Sequence, residues 1–389
     1  MTFRRIEDEP ALRRVTAFDG ARTSTVPTTR LEEVRRRARA FGDELRGGPK
    51  VLYMKTCELV RVPYPTRYGF TACFAQSLTT TPVMHIVNRL VVLQVKTPDG
   101  PKIILSSPSD ILANAETRFF KRLGGGRLQG LAGHWNDKHG MGRVKAMAQK
   151  LVAPITNTVD GWLKELGIAP EEVDYITYDH LHTQDVRNWL GSSGTDARRA
   201  LFPNAKLLIM RREWEAAQGL VPPQRDWYCP NGVAGLPEER VVLLDSSVMV
   251  GEGLALVESP GHTMGNHSLV VHTDRGVIVS SENGVSADSY APTASRIDAV
   301  RKYAQATGAE VILNGNTQES GLEQYISMVM EKELAGANPR DAAFTNVMPS
   351  SEFAHHWAFP GLRPTFEWDP VEHGALQRRV GGGARSAAA

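Results

Sequence analysis

The chain has 389 residues, 41% hydrophobic and 23% charged, the balance of a soluble globular protein with room for one large domain or two ordinary ones. Its 45 basic and 43 acidic side chains leave a formal charge of +2, so no global field favours nucleic acid or a membrane surface. Short arginine groups such as Arg35-Arg36-Arg37 are interleaved with acids and suit solvated helix faces. Cys57, Cys73 and Cys229 are odd in number, far apart and without Cys-x-x-Cys spacing, which excludes a disulfide framework and a thiolate zinc site. The charged start, Met1 to Arg14, offers no signal peptide, and no apolar run approaches the roughly 20 residues of a membrane helix. A cytoplasmic protein is expected.

In chain order, residues 1–48 read as a polar arm with one helix, Thr29 to Leu45. Strands follow at Val51 to Met54, Val83 to Lys96 and Lys102 to Leu105, the last two joined by the hairpin turn Pro98-Asp99-Gly100-Pro101. Residues 109–150 have helical composition, interrupted by Gly124-Gly125-Gly126 and a His/Gly-rich loop from His134 to Gly142. Val159, Trp162, Leu163 and Leu166 repeat at helical spacing, with Gly167 placed to end the helix. Strands are expected at Val173 to Tyr178 and Leu207 to Met210, with a helix from Arg211 to Gln218. Four further strands follow, Val241 to Leu244, Leu254 to Val257, Ser268 to His272 and Val277 to Ser280. A helix over Ala294 to Gln305 leads to a strand at Val311 to Leu313 and a last helix bearing Leu322, Tyr325, Ile326 and Val329 on one face. Beyond Gly336 the chain is proline-punctuated, and Gly381 to Ala389 is of low complexity. This order predicts two sheets sandwiched between helices, a layered α/β fold rather than one doubly wound sheet. Neither Gly-x-Gly-x-x-Gly nor a phosphate-cradling Gly-Lys-Ser/Thr loop occurs.

Two segments carry chemistry. His180 and His182 lie at the end of the Val173 to Tyr178 run, at a spacing that turns both rings to one side in extended backbone. His262 lies in Ser259-Pro260-Gly261-His262-Thr263, a loop between strands in which glycine permits close backbone approach. Three neutral imidazoles with an open fourth position make the usual catalytic zinc arrangement.

The run from Leu163 through Val173 into His180-Leu181-His182 resembles the metallo-β-lactamase fold superfamily. So do Phe202-Pro203-Asn204-Ala205-Lys206 followed by Trp214-Glu215, and Ser259-Pro260-Gly261-His262-Thr263. The three blocks cover roughly residues 80–335 and are similar to hydrolases of the lactonase and glyoxalase II kind. The resemblance implies an αββα sandwich over residues 49–336, with the 1–48 arm before it and an irregular extension, 337–389, after it, and metal at one edge of the two sheets. It assigns His180, His182 and His262 as first-metal ligands. The family's His-x-His-x-Asp-His string departs here, with Gln184 in place of Asp and Asp185 in place of His. The bridging aspartate becomes Glu282, and a late histidine becomes Asn316.

These residues imply a metal-dependent hydrolase that cleaves an ester, lactone or related C–O bond of a small molecule. The ion would be zinc, with iron or manganese as substitutes, and one ion rather than two. A metal on three histidines lowers the pKa of bound water from about 15.7 toward 7. Asp185 would act as general base, a role worth ~10²–10⁴-fold, and Asp185 and Glu282 would ligate any second ion. The competing reading is a catalytically silent subunit of the same fold. His134 and His139 are candidates for substrate contact, and the pocket is expected between Phe70 to Thr81, the 124–142 loop and the tail. The aromatic group His355-His356-Trp357 with Phe359 suggests docking, either as a homo-oligomer or against a related subunit.

Overall fold

The computed structural model describes residues 3–70, 81–114, 116–118, 120, 153–315 and 320–378. Two sheets lie face to face. The larger has the order β13-β2-β3-β4-β5-β6-β7, with β12 added on β3; the smaller has the order β1-β8-β9-β10-β11. In the larger sheet the strands are β2 (Tyr53–Pro65), β3 (Val83–Thr97), β4 (Gly100–Ser106), β5 (Val173–Thr177), β6 (Lys206–Met210), β7 (Val241–Leu244), β12 (Ser351–Ala354) and β13 (Glu372–Gly374). In the smaller they are β1 (Leu12–Arg14), β8 (Val248–Val250), β9 (Leu254–Glu258), β10 (His267–Thr273) and β11 (Gly276–Ser280). From β4 to β7 the neighbours run parallel, and all other pairs are antiparallel.

The alternation of side chains explains the layering. Leu254 and Leu256 of β9 face inward and pack with Met54, Leu93, Ile104, Leu208 and Val242 of the larger sheet. Ala255 and Val257, one residue out of phase, face outward and meet two helices, α1 (Pro27–Gly47) and α5 (Gly321–Ala335). The outer face of the larger sheet is covered by α2 (Val159–Leu166) together with Trp189, Phe202 and Trp214. Strands buried on both faces read as continuous apolar runs, as Leu207 to Met210 and Val241 to Leu244 do. The αββα sandwich expected from the sequence is the one observed.

Local signals hold in most places. Gly167 closes α2 in the left-handed region at φ 67°, where glycine meets no Cβ penalty. Thr97 pairs with Gly100 across the hairpin. The helix expected over Ala294 to Gln305 is α4 (Asp298–Thr307), entered through a short 3-10 turn at Pro292–Ala294. The helix expected from Arg211 to Gln218 is α3, with those bounds.

Three readings need correction. Val311 to Leu313 is not a strand: Val311 lies in a bend, no strand among the described residues pairs with the triplet, and Ile312 N donates to Ser289 O (2.8 Å). The run Val173 to Tyr178 stops one residue short, and β5 ends at Thr177, three residues before His180. Strand β2 runs on from Met54 to Pro65 through a register shift between Glu58 and Val60. Strands β1, β12 and β13, outside the 49–336 bounds, each pair with a strand inside them. Among the described residues no helix is long and apolar enough to cross a membrane.

Candidate metal centre

His180 and His182 occupy the irregular loop that leaves the C-terminal end of β5, the position at which open α/β sheets present functional groups. His262 sits in the loop from β9 to β10, which Ser259 and Asn266 close by a main-chain bond (Ser259 N to Asn266 O, 2.9 Å) and by Asn266 Nδ2 on Ser259 O (3.1 Å). Gly261 in this loop has φ 152°, and a Cβ there would stand 2.2 Å from Gln324 Cα, so only glycine lets the loop rest on α5. Asn283 Oδ1 accepts from His262 N (3.1 Å) and fixes the backbone at the ligand itself.

The three rings meet. One ligand atom from each of His180, His182 and His262 lies within 4.8 Å of the others, and all three side chains are buried. Ring centroids are 4.5–5.0 Å apart, and the rings stand nearly perpendicular to one another. His182 Nδ1 and His262 Nε2 are 3.2 Å apart. Two nitrogens on a tetrahedral zinc at ~2.0–2.1 Å lie about 3.3 Å from each other, so the observed separation is that of a ligand pair. His180 Nδ1 and His262 Nδ1 are buried without a hydrogen-bond partner, although such atoms are ordinarily satisfied. The donor set, three imidazoles and no thiolate, suits zinc and other borderline divalent ions.

Electrostatics keeps two of the three donors neutral and leaves the third, His180, with a proton that an ion would displace. Burial drives the His182 and His262 rings well below the usual histidine range, and charge on His180 pushes them the same way. At neutral pH both rings are neutral. Burial acts on His180 too, but Asp179, then Glu282 and Glu213, outweigh it and hold the ring up at about 9. Asp179 Oδ1 lies 3.1 Å from His180 Nδ1, off the line of a hydrogen bond. The other Asp179 oxygen accepts from Glu282 N (2.9 Å) and Ser350 Oγ (2.7 Å).

Of the candidate acids, the structure brings Glu282 to the histidines and does not bring Asp185. Glu282 Oε2 is 3.9 Å from His180 Nε2, and its Oε1 accepts from Tyr68 Oη. Asp185 is buried with both oxygens engaged by arginines. Arg187 Nε and Nη2 bind it in a fork (2.8 and 2.6 Å), and Arg198 Nη1 adds a third contact (3.1 Å). Such a pair neutralises the carboxylate and leaves it turned toward the arginines. Gln184, its neighbour, accepts from Ser109 Oγ (3.0 Å).

Asn316, Cys73, His134, His139, the 124–142 loop, the 71–80 stretch and the Gly381 to Ala389 tail lie outside the described residues. Cys57 and Cys229 are free and buried, and burial pushes both thiols up to about 12, far from a nucleophile's range. His356 stacks near His85, with ring centroids 4.2 Å apart, while Trp357 and Phe359 remain exposed.

Two residues at the site escaped the sequence reading. Asp179 directly precedes His180, and an acid beside a candidate ligand is the signal that could have marked it. Glu213, in the first turn of α3, is fully buried and contacts both ligand loops. Only its lodging between Arg212 and Trp214 at a helix start was visible in sequence.

Fold and site together define a two-sheet αββα protein with a buried three-histidine metal-binding arrangement. No family model matches the chain. It is 31% identical over 117 residues to an N-acyl homoserine lactonase of Bacillus cereus, 30% of this chain and 40% of that one. It is 30% identical over 174 residues to the N-acyl homoserine lactonase AttM of Azorhizobium caulinodans, 39% of this chain and 60% of that one. The chain thus spans 40% to 60% of the length of these curated relatives. A crystal structure of a quorum-quenching N-acyl homoserine lactone lactonase aligns with 68% of this chain and 90% of that chain, at 15% identity and a TM-score of 0.41. The relatives bear out the resemblance to lactonases.

Proposed function

We propose that this protein is a metal-dependent hydrolase that opens the ester bond of a small lactone. The observation that carries the reading is the buried cluster of His180, His182 and His262, with ligand atoms within 4.8 Å of one another. Similarity to N-acyl homoserine lactonases supports a lactone as the substrate class. The three histidines would hold a divalent ion, zinc by donor type, with iron or manganese as substitutes. When bound, such an ion polarises the scissile carbonyl and makes water nucleophilic at neutral pH.

The chain's own groups divide the remaining work. Asp179 holds the His180 ring and raises its basicity. Tyr68 pins one Glu282 oxygen and leaves the other, 3.9 Å from His180 Nε2, to orient the attacking water. Asp185 is reassigned from base to brace, because both its oxygens are committed to Arg187 and Arg198. That commitment supports a single ion. The free thiols of Cys57 and Cys229 support a cytoplasmic location, and exposed Trp357 and Phe359 support a homo-oligomer or a complex with a related subunit.

The same locked Asp185 favours a second reading, a silent subunit of this fold. Metal content per chain in the purified protein, with assays on N-acyl homoserine lactones and small esters, separates the two. About one ion per chain with turnover that His182→Ala abolishes supports the hydrolase. Metal without turnover on any lactone or ester supports the silent subunit, and a wild-type chain that takes up no metal overturns the metal-site reading altogether.

A further inference from the structure

The two ligand-bearing loops belong to different sheets, and a single buried carboxylate touches both. Glu213 lies in the first turn of α3, which begins where β6 ends, and its side chain has no exposure. Its Oε1 accepts from the main-chain N of Leu181 (2.8 Å), the residue between the two histidines, and from Tyr228 Oη (3.2 Å). Its Oε2 accepts from Thr263 Oγ1 (2.5 Å), the residue after His262. Tyr228 in turn packs edge-on against the His182 ring at 4.8 Å. The contact is close by construction, since a Cβ on Gly265 would stand 2.1 Å from Glu213 N.

We propose that Glu213 is the positioning residue of the metal centre, setting the distance between the His180-His182 loop and the His262 loop. The inference rests on the metal-site reading above. A buried carboxylate is costly to hold without partners, and here its partners are two of the residues that flank the ligands, so its geometry becomes theirs. Removing it would leave the Leu181 N–H unpaired and free Thr263 to rotate. Outer groups that orient ligands typically change metal affinity ~10–100-fold when lost. Glu213→Gln keeps an oxygen for Leu181 and Tyr228, while Thr263 can reverse and accept from the amide, so it should restore most of the function lost in Glu213→Ala.

The test uses the full chain, titrated with zinc against a chromophoric chelator, and the visible spectrum of the cobalt(II)-loaded protein as a readout of ligand geometry. Glu213→Ala should weaken zinc ~10–100-fold and shift the cobalt bands. Glu213→Gln should return close to wild type on both. Glu9→Gln, which breaks a buried carboxylate network between the N-terminal arm and β5–β6, serves as the stability control and should move neither. If Glu213→Ala does not fold, Thr263→Val removes one contact alone and should give a smaller loss of affinity with a shifted spectrum. Wild-type affinity and spectrum in the folded variants would overturn the positioning role while leaving the metal site intact. A wild-type chain that takes up neither zinc nor cobalt would instead bring down the metal-site reading itself.

Discussion

Asp179 Oδ1 stands 3.1 Å from His180 Nδ1, on the side of the ring opposite the nitrogen that faces Glu282. A carboxylate beside a ligand imidazole stabilises charge on the ring and so strengthens its donor nitrogen. Asp179→Asn should therefore lower zinc affinity ~10–100-fold at near-wild-type stability, since asparagine can still accept from Glu282 N and Ser350. Competition titration and thermal melts measure the two quantities. Unchanged affinity would make Asp179 a loop residue only.

Asp185 should behave in the opposite way. Breaking a buried ion pair by removing one partner costs about 3–5 kcal/mol, because the remaining charge is left uncompensated. Arg187 is buried on this carboxylate and would keep the exposed Asp196 as its remaining partner, so the figure is an upper bound. Asp185→Ala should lose stability up to that size in denaturant titrations yet still bind about one ion per chain. Loss of metal at unchanged stability would return Asp185 to the ligand set.

Glu9 provides the pH dependence. Burial tends to raise its pKa, but Lys206, Tyr175 and Arg4 outweigh burial and hold it below the usual glutamate value of 4.5. A folded-state pKa below the unfolded one gives stability that is fully present above about 4.5 and is lost as pH falls through the folded value. Wild type should thus lose midpoint temperature below pH 4.5 faster than Glu9→Gln, and the two curves should converge in acid. Parallel curves down to pH 2.5 would show that Glu9 carries no proton linkage.

Thr183, directly after His182, has φ 62°, a left-handed conformation that is uncommon for a β-branched residue. Such backbone costs about 1–3 kcal/mol, and glycine would relieve it at about 0.5–1 kcal/mol of unfolded-chain entropy. Thr183→Gly should stabilise the protein by about 1 kcal/mol or less in urea titrations. A loss larger than 1 kcal/mol would mean that the threonine side chain contributes more than its backbone costs.

Long apolar runs made the sandwich legible, because a strand such as β6, buried on both faces, needs no partner to be recognised. Strands β1, β8, β12 and β13 were not legible: at three or four residues, their pairing partner and not their composition makes them strands. Val311 to Leu313 shows the converse, an apolar triplet that pairs with no strand among the described residues. His180, His182 and His262 could be grouped from sequence because motif blocks tied distant loops together. The environment of Asp185 could not. An acid at that position is equally compatible with a ligand and with a brace, and what decides is how the side chains of Arg187 and Arg198 fold back on it. Glu213 was hidden for a similar reason, since its three partners are 15 to 50 residues away along the chain.

Because His180 and His182 follow β5 of one sheet and His262 follows β9 of the other, the cluster straddles the seam between the layers. Neither half of the chain owns a complete donor set. An ion captured there acts as a clasp, engaging only after the two sheets have closed, so loading would slow unfolding more than it hastens folding. Tight metal uptake would then report that the sandwich has been completed, since a chain stalled with its sheets apart offers an ion only the His180 and His182 pair on one side.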